Sequence, residues 1–146
     1  MSVQTTHGCV VIVDGKGVFL RGSAGAGKTS LALGIIERAT LAGKHSALVA
    51  DDRVQLVREG DHLLASPPDV LAGKVELRGY GITSIGCERV APVTLVIDLV
   101  DDEMIDRMPE PMTTMLEGTR LPLVEVPKRH EALAARIVLA WLGDLA

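Results

Sequence analysis

The sequence predicts an α/β fold in which a β-hairpin feeds directly into a phosphate-binding loop. Three observations carry this. The run Gly22-Ser23-Ala24-Gly25-Ala26-Gly27-Lys28-Thr29 matches G-x-x-x-x-G-K-[ST] in full. A strand-like segment precedes it and a helix-like segment follows it, the context the motif requires. Elsewhere, short β-branched runs alternate with turn signals, and a second helical periodicity lies near the end of the chain.

Cys9 to Val13 is apolar and β-branched, a strand. Asp14-Gly15-Lys16-Gly17 signals a tight turn, and Val18-Phe19-Leu20 resumes the strand. His7 sits just ahead of this first strand. After the loop, Thr29 to Ala42 reads as a helix: Leu31, Ile35 and Ala39 recur at every fourth residue, and Gly43 is a stop. Ala47 to Ala50 is a short buried strand ending in Asp51-Asp52. Val54 to Val57 and His62 to Ala65, joined by Glu59-Gly60-Asp61, form a second hairpin, and Ser66-Pro67-Pro68 is a break. Val75 to Leu77 is strand-like, as is Val90 to Val100. Asp101 to Pro111 is acidic and Pro-containing, a surface loop or short helix. Glu131 to Leu145 is helical, with Leu133, Ile137 and Trp141 as its core stripe.

Composition limits the function classes. At 146 residues, one domain over 1–146 is expected. Apolar residues make up 47% of the chain and the mean hydropathy is +0.29, which favours a packed globule over disorder. With one Phe, one Tyr and one Trp, the core must be built from Val, Leu, Ile and Ala. The net charge is -4 without a basic run, which argues against a nucleic-acid surface. Cys9 and Cys87 have neither metal nor disulfide spacing and read as small buried apolar residues. Met1 to His7 lacks the charged and apolar regions of a signal peptide, and no stretch approaches a membrane span, so the cytoplasm is expected.

The chemistry-bearing residues centre on the loop. Its glycines let backbone N–H groups converge on phosphate oxygens, and the following helix adds its positive end. Lys28 reaches the terminal phosphates and Thr29 ligates Mg²⁺. Asp51 and Asp52 end a buried strand, where a P-loop enzyme keeps its acidic metal or water partner. One carboxylate can hold or orient Mg²⁺ and the other can take a proton from an attacking hydroxyl. Neighbouring side chains on extended backbone point to opposite faces, so their tasks need not coincide. His7 by itself reads as structural or exposed, and Arg107 as a solvated charge.

With these residues in order, the chain resembles the bacterial HPr serine kinase/phosphorylase family, in its C-terminal kinase domain. His7-Gly8 precedes the hairpin, the P-loop follows, and Leu48-Val49-Ala50-Asp51-Asp52 is similar to that family's strand ending in paired aspartates. Val75-Glu76-Leu77-Arg78-Gly79-Tyr80-Gly81-Ile82 is close to its signature, usually Leu-Glu-Ile-Arg-Gly-Leu-Gly-Ile. Asp106-Arg107 and Pro127-Lys128-Arg129 fall where the family has further functional arginines. The resemblance spans almost the whole chain.

The resemblance implies a fold of the phosphoenolpyruvate-carboxykinase-like type, a mixed sheet whose hairpin leads into the P-loop. It implies ATP and Mg²⁺ as cofactors, with Lys28 on the β- and γ-phosphates and Thr29 and Glu76 as Mg²⁺ ligands. Asp52 is implied as general base on a substrate serine, with Asp51 beside it near the metal and His7 and Arg107 as active-site partners. The implied substrate is the phosphocarrier protein HPr of the phosphotransferase system, and the implied assembly a homo-oligomer. Full-length members carry an N-terminal domain, so the short proteobacterial form is expected here. The family's loop Pro-Val-Arg-Pro-Gly-Arg, tied to phosphorolysis of the seryl phosphate, is Pro127-Lys128-Arg129-His130-Glu131-Ala132 in this chain. The missing second arginine and the added Glu131 argue against the reverse reaction. A small-molecule kinase and a nucleotide-binding regulatory module without transfer activity remain as alternatives.

Overall fold

A computed structural model describes residues 5–68, 73–77, 79–84 and 87–144. Strands β1 (Thr5–His7), β2 (Cys9–Val13) and β3 (Lys16–Arg21) precede helix α1 (Lys28–Leu41). Then come β4 (Ser46–Ala50), β5 (Arg53–Glu59), β6 (His62–Ser66), β7 (Lys74–Leu77), β8 (Gly81–Ser84) and β9 (Ala91–Val100). A single helical turn at Asp102–Met104, strands β10 (Met112–Leu116) and β11 (Thr119–Pro127), and helix α2 (Glu131–Asp144) complete the order.

The sheet is mixed, as the sequence predicts. β9 is its axis. β3 runs parallel to β9 along one edge; β6, antiparallel, and β11, parallel, divide the other. β2 joins β3 as the expected hairpin and β4 pairs antiparallel with β2. Asp14 and Gly15 turn that hairpin with φ of 47° and 81°, the paired positive values a type I′ turn demands. β2 is Cys-Val-Val-Ile-Val and every one of its residues is buried, because both faces of the sheet are covered.

Alternate residues therefore feed separate cores. Val11, Val18, Leu20, Leu95 and Ile97 pack beneath the helices with Leu31, Ile35, Ala135 and Val138. Val10, Phe19, Val49 and Val96 face the other way, with Val54 and Leu63 of the β5–β6 hairpin and Leu121 of β11. The helices touch closely. A Cβ on Gly34 would collide with Glu131 Oε1, whose carboxylate pairs with Arg38 across that gap.

The structure differs from the sequence expectations in four places. His7 closes a strand rather than preceding the first one, since β1 pairs with β5. β8 pairs with β7, and the β10–β11 hairpin fills a stretch the sequence left unassigned. On α2 the fully buried face is Ala134, Ala135, Val138 and Leu142, while Leu133, Ile137 and Trp141 are half-buried beside it. Small residues take the buried face because α2 packs close to α1. Leu145, expected to end that helix, and Arg78 of the signature lie outside the described residues.

Candidate active site

The Gly-rich loop leaves β3 at Arg21 and enters α1 at Lys28, as the motif requires. Arg21 anchors the strand end by a bidentate pair with Asp98 of β9, at 2.7 and 3.0 Å. Gly25 and Gly27 adopt φ of 81° and 96°, conformations that side chains resist and that turn successive N–H groups inward. Ala26 is the loop's buried foot. α1 begins without a side-chain cap and with no acidic residue in its first turn, so its positive end faces the loop uncompensated. Lys28 Nζ curls across its own loop and donates to the carbonyls of Gly22 at 2.8 Å and Ser23 at 3.3 Å.

Asp51 and Asp52 part company, because the chain bends past the end of β4 and Asp52 takes a left-handed φ of 70°. Thr29 Oγ1 donates to Asp51 Oδ1 at 2.8 Å, joining the last P-loop residue to the end of β4. Cys9 Sγ donates to the same oxygen at 3.0 Å. Cys9 is 1% exposed, and burial foremost, then the Asp51 charge, pushes its thiol up to about 12. The expectation of a plain apolar residue is therefore corrected: Cys9 is buried but acts as a hydrogen-bond donor. Cys87 is only half-buried.

Asp52 turns outward with φ 70°. Its Oδ1 lies 3.9 Å from His7 Nδ1, and the two side chains are 75% and 71% exposed. The backbone fixes this neighbourhood: Gly8 N–H donates to the Asp52 carbonyl at 3.1 Å and His7 is in register with Arg53. Segment 7–9 thus presents His7 to one aspartate and Cys9 to the other.

On the other flank, a cleft of about 300 Å³ runs between Gly25, Gly27, the end of β9 at Leu99, and Arg129 and His130 ahead of α2. The loop carrying Arg129 is stitched to both neighbours. Arg129 N–H donates to the Ala26 carbonyl at 2.9 Å and Lys128 N–H to the Val100 carbonyl at 2.8 Å. Lys128 Nζ pairs with Asp101 Oδ1 at 2.7 Å, and this partner holds the Asp101 carboxyl below its usual range. Among the described residues, four besides glycine have positive φ: Asp14 and Glu117 in hairpin turns, and Asp52 and Arg129 beside the P-loop. Strained backbone of the second kind collects at functional sites.

The donors fit Mg²⁺. The Thr29 hydroxyl and the Asp51 carboxylate are hard oxygens, and Mg²⁺ takes few protein ligands, completing its shell with water and phosphate. Because Thr29 gives its proton to Asp51, its lone pairs stay available to a cation. Glu76 stands on β7 opposite Ile82, and its side chain lies outside the described residues. Arg107 is exposed in the loop after β9; among the described residues it forms no hydrogen bond or ion pair with the P-loop and does not line the cleft. Sequence reasoning brought Lys28, Thr29, Asp51, Asp52 and His7 to one place. It missed the Cys9 hydrogen bond and the joining of Gly25 and Gly27 of the P-loop to Arg129 across one cleft, because these partners are far apart in sequence.

The family model described as "HPr Serine kinase C-terminal domain" matches residues 1–142. The HPr kinase/phosphorylase of Chlorobium phaeobacteroides is 33% identical over 136 residues, covering 85% of this chain and 38% of that protein. That of Geobacillus thermodenitrificans is 34% identical over 144 residues, covering 90% and 45%. The chain thus spans under half the length of these curated relatives. The solved structure of the Hpr(Ser) kinase/phosphatase from Coxiella burnetii superposes with a TM-score of 0.81 at 27% identity, covering 97% of this chain and 98% of the other. Topology and family match agree: this chain belongs to the HPr serine kinase C-terminal domain family.

Proposed function

We propose that the chain is an ATP-dependent protein-serine kinase domain that phosphorylates an HPr-like phosphocarrier protein. The carrying observation is the division between the aspartates. Asp51 is tied to Thr29 behind the loop, whereas Asp52 and His7 stand 75% and 71% exposed in front of it. A carboxylate so open to solvent suits a serine presented by another folded protein better than a small molecule enclosed in a pocket.

The P-loop backbone and the start of α1 hold the phosphates, and Lys28 leaves its loop carbonyls to meet the β- and γ-phosphate oxygens. Thr29 and Asp51, with Glu76 as the further ligand, would hold Mg²⁺, which would supply charge neutralisation to the nucleotide phosphates. The serine Oγ attacks the γ-phosphorus, the bond to the β,γ-bridging oxygen breaks, and ADP leaves. Asp52 takes the serine proton. His7 steadies the Asp52 carboxylate, and Arg107 acts from its exposed loop on the incoming partner. The reading includes a cytoplasmic enzyme that works as a homo-oligomer. In support, no helix among the described residues is long and apolar enough to cross a membrane.

The reaction is proposed to favour the kinase direction. Phosphorolysis needs cationic donors to bring phosphate up to an anionic seryl phosphate. Lys128 is engaged with Asp101, which leaves Arg129 as the arginine of this loop. Glu131, counted from sequence as a charge of the wrong sign beside this loop, opens α2 where the helix was expected to start and is paired with Arg38. Incubation with γ-labelled ATP, Mg²⁺ and a purified HPr-like protein tests the reading. Label on a serine is expected; label on a small molecule, or ATP binding without transfer, would overturn it.

A further inference from the structure

The Asp51 carboxylate is held from two directions. Thr29 comes from the P-loop, as any reading of the motif anticipates. The second hydrogen bond comes from Cys9, which neither the motif nor the kinase chemistry calls for. Both fall on Oδ1, at 2.8 and 3.0 Å, so neither uses Oδ2. With one donor the carboxylate could still rotate about χ2; with two donors on one oxygen its plane is fixed. The Cys9 side chain is itself locked, being 1% exposed within the core under α1 with Val11, Leu31 and Leu48.

We propose that Cys9 is a positioning residue for the cation side of the active site: its S–H fixes the Asp51 carboxylate, which in turn orients the Thr29 hydroxyl. This rests on the kinase reading for its consequence in turnover but not for its geometry. Cys9 touches no substrate and donates no proton to the reaction. Its neighbour two residues back, His7, serves Asp52, so one strand segment aligns both carboxylates at once.

Four substitutions and two measurements decide the matter. Cys9→Ala removes the donor; Cys9→Ser keeps one at nearly the same place. Cys9→Ala is expected to raise the Mg²⁺ concentration for half-maximal binding of a fluorescent ATP analogue by about three- to tenfold, the range of one ordinary hydrogen bond, since S–H is a weak donor. Metal-free nucleotide binding should not change, and Cys9→Ser should restore most of the loss. A purely structural cysteine would instead lower the melting temperature in both variants and leave the Mg²⁺ dependence alone. Equal Mg²⁺ dependence in wild type and Cys9→Ala, or no rescue by Cys9→Ser, overturns the proposal. The second measurement needs no ligand. In Cys87→Ser protein, Cys9 is the one remaining thiol. Its infrared S–H stretch is expected at lower frequency in the folded than in the unfolded chain, and to move upward in a folded Asp51→Ala background. A band unmoved by Asp51→Ala overturns the proposal. Should the protein transfer no phosphoryl group, the kinase reading falls, while both readouts still decide the role of Cys9.

Discussion

Asp52 and His7 face one another at 3.9 Å across the open front of the site, while Asp51, one residue back, is bonded to Thr29 behind it. Adjacent carboxylates thus occupy different chemical surroundings. Replacing Asp52 by Asn keeps shape and removes the carboxylate proposed as the base. Turnover should fall by about 10² or more, the usual scale for a lost general base, with ATP binding unchanged. Steady-state rates together with a nucleotide titration check this. A larger loss in Asp51→Asn than in Asp52→Asn would reverse the assignment.

Lys28 donates to Gly22 and Ser23, so in this structure it also braces its own loop. Lys28→Ala should abolish phosphoryl transfer and weaken ATP binding, because the phosphates lose their positive partner. The braces are exposed and sum to little stability. The melting temperature is therefore expected to stay within a few degrees of wild type. A folded Lys28→Ala variant that transfers phosphate normally would refute the P-loop role.

The buried thiol makes a pH prediction. The Cys9 pKa rises on folding from 9.0 to about 12, so the folded state holds this proton more tightly than the unfolded chain. The associated stability is complete below pH 9.0 and is lost as the pH climbs through about 12. Denaturant titrations across that alkaline window should show a shallower decline in Cys9→Ala than in wild type. At neutral pH, Cys9 should react with a thiol reagent only on unfolding, since the thiolate is the nucleophile. Fast labelling of Cys9 in the native state would contradict the burial.

Direction can be tested at Lys128. Its ammonium pairs with Asp101, which keeps it from the incoming phosphate. Wild type should release pyrophosphate slowly, or not at all, from serine-phosphorylated HPr and millimolar phosphate. Asp101→Asn frees Lys128 and should raise that rate relative to the kinase rate. Phosphorolysis in wild type as fast as phosphorylation would show that the altered loop does not govern direction.

Local signals were legible and distant ones were not. The P-loop, the Asp14-Gly15 hairpin and α1 are written in contiguous residues, and the structure has them where the sequence puts them. β11 escaped notice because Pro122 argues against a strand. The structure tolerates it because Pro122 lies just ahead of Leu123–Pro127, the stretch that pairs with β9. On α2, alanines take the buried face, and a pattern read from large side chains therefore landed beside it. The Cys9–Asp51 bond joins residues 42 apart, and nothing in either local context announces it.

Asp52 holds its carboxylate on a left-handed backbone, φ 70°, where glycine sits without strain and asparagine nearly so. Selection for chemistry and selection for a comfortable chain therefore pull this position in opposite directions. A change to Gly or Asn relaxes the backbone, spares the Thr29–Asp51 bond and leaves the P-loop able to grip nucleotide. On the proposed kinase reading, loss of transfer is thus a short downhill step, and its product would be a folded domain that still binds nucleotide. Duplicated copies of such a domain, once freed from transferring phosphate, are expected to drift towards nucleotide sensing with this residue among the first to change.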